Sequence, residues 1–236
     1  MNKALKIVLE FVLAAVVVLL VVYIVKSVMK PVRFNNEVEA RSQVAIQRLK
    51  DIRTLQEQFK SENGHYTSSM DSLILFYKEG KMEITMQIGS MDDSIAVANT
   101  EAIKKANRRL KEPDLTKKLI EAREAGQSVV YSIKQEVAVS DTLLLYHKAE
   151  KDWSVDSLLY IPFSGRQLTE MESVVRMVSG VPVPLFEARM PYKALCKGLD
   201  KQLLINLNAE RRDQNKYEGL QVGSITMPNN NAGNWE

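Results

Sequence analysis

Few side chains in this sequence are suited to chemistry, and their spacing serves it poorly. The histidines, His65 and His147, lie far apart, and the single cysteine, Cys196, has no histidine near it in sequence. A metal site built on imidazole or thiolate needs three or four convergent ligands, so this set is too small and too scattered. A nucleophilic thiol needs a partner that lowers its pKa, and the default role for Cys196 is a small buried apolar residue. Asp92-Asp93 is an acidic pair without the dense Asp/Asn/Gly spacing of a calcium loop. Gly-x-Ser-x-Gly, Walker, Gly-x-Gly-x-x-Gly and Cys-x-x-Cys patterns are all missing from the sequence. The expectation is therefore no catalytic residue, no cofactor, no metal and no enzyme activity.

Two charged features remain. Lys104-Lys105-Ala106-Asn107-Arg108-Arg109-Leu110-Lys111 is a basic run. Beside a membrane such a run attracts anionic lipid at about 1 kcal/mol per side chain. Nucleic-acid contact would want interleaved aromatics, and none are present. The reading adopted is a solvated helix face. The second feature is Glu10, the one charge inside the apolar stretch from Ile7 to Val25. A carboxylate at a bilayer centre costs about 2.5–3.5 kcal/mol and far less near the headgroups. Lys6 lies four residues earlier, on the same helix face. Glu10 therefore either sits in the interface beside Lys6 or pairs with a basic group of another subunit.

That apolar stretch is the element from which the rest hangs. As a helix it would extend roughly 28 Å, close to the hydrocarbon thickness of a bilayer. It is long for a signal peptide, and Lys26 to Pro31 offers no small-x-small cleavage site. A retained membrane anchor is expected. Basic residues on both sides, Lys3 and Lys6 before it and Lys26, Lys30 and Arg33 after it, leave the orientation open on charge alone.

Across its 236 residues the chain has net charge +3, from 32 basic and 29 acidic side chains. That balance argues against a nucleic-acid binder. One cysteine precludes an internal disulfide. The length beyond the anchor suits one domain, or a small domain carrying an insertion.

Pro31 is expected to kink or end the first helix, with Asn35 or Asn36 capping a second one. From about Asn36 to Ser61 the pattern is helical, with Val38, Ala45, Ile52 and Phe59 seven apart and Leu49 and Leu55 on the same side. Ser42 and Gln56 weaken a coiled-coil seam, so the chain's own sheet is the favoured partner of this stripe. Asn63-Gly64 then stops the helix. A turn follows, and Ser68 or Ser69 caps a short helix from Met70 to Tyr77.

The string from Arg48 to Leu73, RLKDIRTLQEQFKSENGHYTSSMDSL, resembles the end of the first helix and the following loop of type IV pilin-like proteins and type II secretion pseudopilins. In those proteins a membrane helix runs into a long amphipathic helix, followed by Asn-Gly-x-Tyr and a leucine. Asn63, Gly64, Tyr66 and Leu73 match that arrangement, and Pro31 matches their kink proline. The resemblance covers about the first third of the chain. It does not extend to the processing site: with Glu10 as the fifth mature residue, Leu5 precedes Lys6 where the family has Gly. The chain is also similar to bacterial single-pass proteins ending in a Gly-Asn-Trp-Glu-like tail. The pilin resemblance implies a structural subunit of an envelope filament or secretion assembly, anchored in the bacterial inner membrane with a periplasmic C-terminal domain. Its partners would be membrane lipid and copies of itself or other pilin-like subunits. Glu10, Pro31, Val38, Ala45, Ile52 and Phe59 would then serve assembly. The alternative is a non-polymerising accessory protein that docks partners of an envelope complex.

Beyond residue 80 the pattern mixes strands and helices. Strands are expected at Met82–Gly89 and Ser128–Val139, with Asp141–Tyr146 either extending the sheet or beginning a hairpin return. Helices are expected within Asp92–Leu110 and Leu115–Glu124. This middle region could be an insertion that contacts a partner. Later strands are expected at Ser157–Phe163, as a pair within Leu168–Ser179, at an edge over Gly180–Ala188, and at Leu220–Met227. A helical turn is expected within Pro191–Leu199, and a helix or loop over Asn208–Lys216. Trp235, in the polar tail, would either pin the terminus against the sheet or dock a partner. The fold class is α+β: a short tail over 1–6, an anchor over 7–29, an amphipathic helix and pilin-like loop over 30–80, and a mainly antiparallel α+β domain over 81–236.

Overall fold

The computed structural model describes residues 3–149 and 153–236, with side chains of the first helix described from residue 11 onward. In chain order the elements are α1 (Lys3–Asn63), α2 (Met70–Glu79), β1 (Lys81–Ile88), α3 (Ser94–Ala106), α4 (Asp114–Glu124), β2 (Tyr131–Ala138) and α5 (Val139–Thr142). Then come 3-10 turns at Leu145–Ala149 and Val155–Leu159, β3 (Glu170–Val178), β4 (Val181–Pro191), α6 (Tyr192–Leu195), α7 (Lys201–Asp213) and β5 (Gly219–Gly223). The architecture is α+β, and every strand pair is antiparallel. The strands form two separate sheets, β1-β2 and β3-β4-β5.

The chain divides into two compact units. One comprises residues up to Ile74 and from Lys148 onward; the other is the intervening segment Leu75–His147.

The first unit is built on α1. This is a single helix of 61 residues, roughly 90 Å long at 1.5 Å per residue. It runs through Pro31, so the chain neither stops there nor restarts at Asn35 or Asn36 as expected. A proline removes one intrahelical donor, a local loss that long flanking helical segments can outweigh. Gly64 ends the helix at φ +77°, and its N–H bonds the Lys60 carbonyl at 2.8 Å. From Phe34 onward α1 buries one face, with Ala45, Leu49, Ile52 and Leu55 fully enclosed where the helix packs on β4 and β5.

The β3-β4-β5 sheet departs from expectation in three places. β5 stops at Gly223, short of the expected Met227, where φ +73° turns the chain. β4 is its central strand, not an edge. β5 pairs only Glu187–Pro191 of β4, so Pro182 and Pro184 lie where β3 alone is the named partner and a missing donor is tolerated. The segment Leu168–Ser179 is one strand, not a pair. Ser157–Phe163 is not a strand: Val155, Leu158 and Ile161 are buried three apart, the period of a 3-10 turn.

In the second unit β1 and β2 pair along their whole length, with Met86 opposite Ile133 and Ile88 opposite Tyr131. Asp93 caps α3, accepting from the Ile95 and Ala96 N–H groups at 3.0 and 3.1 Å. Asp141–Tyr146 does not extend the sheet. Val139–Thr142 is a helical turn, and Leu144 takes φ 55°, which breaks any extended run.

Candidate functional site

The chemistry-bearing side chains do not converge. His65 is exposed, its Nδ1 2.9 Å from the Asn63 carbonyl and its ring edge-on to Phe59. Cys196 is buried, and burial pushes its thiol up to about 11, away from a reactive thiolate. Among the described residues no group of three or more His, Cys, Asp or Glu could hold a metal ion. The densest charged cluster centres on Arg189, which pairs with Glu170 at 3.4 Å, Glu172 at 2.5 Å and Glu187 at 3.2 Å. Beside it burial raises the Tyr217 hydroxyl to about 12. These charges satisfy one another across the sheet.

The distinctive feature is the unequal use of α1. Every residue from Phe11 to Lys30 is exposed, and Phe11 to Val25 carries no charge. This helix is long and apolar enough to cross a membrane by length and composition. The Glu10 side chain lies outside the described residues. Lys30 ends the exposed stretch, pairing at 2.8 Å with Asp200, the N-cap of α7. That contact, with the Leu203 and Gln202 N–H groups, holds the Asp200 carboxyl below its usual range.

Below this collar the stripe turns inward. Ala45 and Ile52 are fully buried, while Val38 and Phe59 are half-buried. Ala45 and Ile52 therefore hold the helix to its own domain and present no face to another chain. Pro31 is half-buried at the boundary.

The loop after α1 is clasped to it. Gln56, fully buried, donates from Nε2 to the Thr67 carbonyl at 2.7 Å, and its Oε1 accepts from the Thr67 N–H at 3.2 Å. Tyr66 is buried with its ring centroid 4.8 Å from that of Phe186, and its hydroxyl accepts from Asn231 Nδ2 at 3.0 Å. Leu73 is fully buried, and Asn63 is exposed with its amide on the Phe59 carbonyl.

The tail closes this clasp. The Gly223 N–H bonds the Ala232 carbonyl at 3.1 Å, and the Asn234 N–H bonds the Gln221 carbonyl at 3.0 Å, laying the tail along β5. Trp235 is half-buried over Gly233, where an added Cβ would come within 2.3 Å of the indole. Arg53 donates to Glu236 Oε1 at 2.7 Å and to the Asn231 carbonyl at 3.3 Å.

Sequence reasoning missed the arginines. Arg41 donates to the Leu195 and Lys197 carbonyls at 3.1 and 3.0 Å, and Arg48 to those of Ser157 and Tyr160 at 2.7 and 2.6 Å. They lie seven apart beside the apolar stripe, a spacing that puts both at its border. The arrangement is mechanical: a rod whose lower half is stapled to a domain and whose upper half is bare. The chain matches no protein-family model, no curated protein and no solved structure.

Proposed function

We propose that this chain is a membrane-anchored structural subunit of a bacterial envelope filament or secretion assembly, pilin- or pseudopilin-like in kind. The observation that carries this reading is the division of α1 into a bare apolar upper half and a lower half stapled to its own domain. An apolar helical surface of that length is favourable only in lipid or against other apolar helices, and a helix satisfies its own backbone there. In this reading the soluble part lies on the periplasmic face of the inner membrane. Copies pack through the bilayer, and Glu10 pairs with a basic group of a neighbour, because an unpaired carboxylate in lipid is costly.

The test uses a cysteine placed in the exposed segment, Leu19→Cys, since the buried Cys196 will not compete. Oxidation in native membranes should give disulfide-linked dimers. Glu10→Ala should abolish them while the circular dichroism spectrum is unchanged. A reporter fused after Glu236 that works only in the cytoplasm would sink the reading.

The compactness of Leu75–His147 favours a second one, an accessory protein that docks partners through this inserted unit. Glu10→Ala would then be tolerated. Docking through Trp235 is the weaker form of it, because the tail would first have to leave β5.

A further inference from the structure

The second unit contains a cleft of about 860 Å³ between the β1-β2 sheet and helices α3 and α4. That volume lies within the range of about 300–1,000 Å³ typical of small-molecule sites. Val97, Leu119, Ile120 and Val130 supply apolar wall. Five charged side chains also line it, and four are already engaged. Glu101 pairs with Lys105 at 3.7 Å, Lys117 with Asp114 at 3.2 Å and Lys134 with Glu83 at 2.7 Å, while Glu112 accepts from the Thr116 hydroxyl. Lys104 is the fifth. It is exposed and has no carboxylate partner among the described residues. Arg108, Arg109 and Lys111 follow it in sequence and have no carboxylate partner among the described residues either, so the segment that carries Lys104 holds an uncompensated positive charge. Such a field raises the local concentration of anions and speeds their capture.

We propose that this cleft binds one long-chain carboxylate, its acyl chain along Val97, Leu119, Ile120 and Val130 and its head group on Lys104. Burial of the chain provides affinity, and the unpaired ammonium provides the preference for an anion over a neutral amphiphile. The site lies wholly within Leu75–His147 and does not depend on the membrane reading.

The experiment is equilibrium dialysis of the full-length protein in zwitterionic nanodiscs against radiolabelled decanoate, with empty nanodiscs as the blank. If α1 does not hold the protein in lipid, the same measurement runs in plain buffer. One saturable site per chain is expected. Lys104→Glu should weaken it at least tenfold, and Lys104→Arg should retain it. Lys104 is exposed, so neither change should disturb folding, and an unaltered thermal melt checks this. Ile120→Trp, which fills the cleft, should abolish binding, and decanol should bind at least tenfold more weakly than decanoate. The proposal is overturned by the absence of a saturable component above the blank, by Lys104→Glu binding like the wild type, or by decanol matching decanoate.

Discussion

The two units bury very different amounts of large side chain. Leu49, Ile52, Leu55, Leu73, Leu158, Ile161, Phe186, Met190 and Leu195 are all nearly inaccessible in the first, whereas Leu119 and Val139 are the second unit's counterparts. Their polar bonds differ in the same sense. The first unit joins remote segments through half-buried arginines on backbone carbonyls. The second has a buried tie of this kind, the Val130 N–H donating to the Thr100 hydroxyl at 2.8 Å, and its ion pairs, such as Lys81–Glu136 and Lys118–Glu121, are exposed and of a kind worth about 0–1 kcal/mol. A two-stranded sheet with two helices is close to the minimum that stands alone. A long helix thus lets a three-stranded sheet close a core, and the two-stranded unit, lacking one, should open first.

The largest effect should come from emptying each core in turn. Leu49→Ala removes a fully buried side chain from α1 and should cost about 2–5 kcal/mol, lowering the main denaturant midpoint. Leu119→Ala makes the same chemical change in the second unit. Hydrogen exchange should then show protection lost over residues 81–138 with the main midpoint unmoved. If Leu119→Ala shifts the main midpoint as far as Leu49→Ala, the units are one cooperative body and the contrast fails.

Next in size is Gln56. Gln56→Leu keeps the bulk but orphans the N–H and C=O of Thr67. Leaving buried partners unsatisfied costs about 1–3 kcal/mol. Exchange at Thr67 and Ser68 should rise ahead of any change in the β3-β4-β5 sheet. Unchanged exchange there would mean that water replaces the amide and that the clasp is not structural.

Much of the first unit was legible because its signals are local. The bare segment before Lys26 reads from composition, the stop at Gly64 from one residue type, and the stripe through Ala45 and Ile52 from helical period. What the sequence hid was tertiary. Gln56 looked like a flaw in an apolar seam, yet its buried amide holds Thr67. The apolar run Ser157–Phe163 suited a strand by composition, and the three-residue spacing of Val155, Leu158 and Ile161 was the signal that distinguished a 3-10 turn. Pro31 signals a break by residue type, yet the long helical segments on either side carry the chain through it. The clasp that joins α1 to the tail relies on Arg53, Tyr66 and Asn231, residues far apart in sequence with no motif linking them. The cleft beside Lys104 was equally hidden: the basic run was visible, but which of its charges lack partners depends on the packing of α3 and α4.

Acid should loosen the tail, a smaller effect. The side-chain hydrogen bond from Arg53 holds the Glu236 carboxyl below its ordinary value of 4.5. A group whose folded pKa is depressed stabilises the fold above its unfolded pKa, and that contribution fades as pH falls through the folded value. Trp235 emission in a Trp153→Phe background should therefore shift as pH drops below about 4.5, the ordinary glutamate value. Glu236→Gln should abolish that transition. A shift of equal size in Glu236→Gln would assign the acid response to another carboxylate.

The sharpest test of the contrast predicts almost no effect on the first unit. Lys81 pairs with Ala138, and the Val139 N–H bonds the Gly80 carbonyl at 3.1 Å, so the two ends of the inserted unit already sit side by side. Replacing Met82–Val137 with Asn-Gly joins Lys81 to Ala138 through the shortest favoured hairpin turn. α2 keeps Met70, Leu73 and Ile74, its buried residues, on the retained side. If the first unit's core closes on its own, its unfolding free energy should stay within about 0.5 kcal/mol of the full chain's, the size of an ordinary surface change. Long-chain carboxylate binding should vanish with the excised segment. A shortened chain that fails to fold would show that the small core around Leu119 supports the large one, reversing the order of dependence that the burial of Leu49, Ile52 and Phe186 implies.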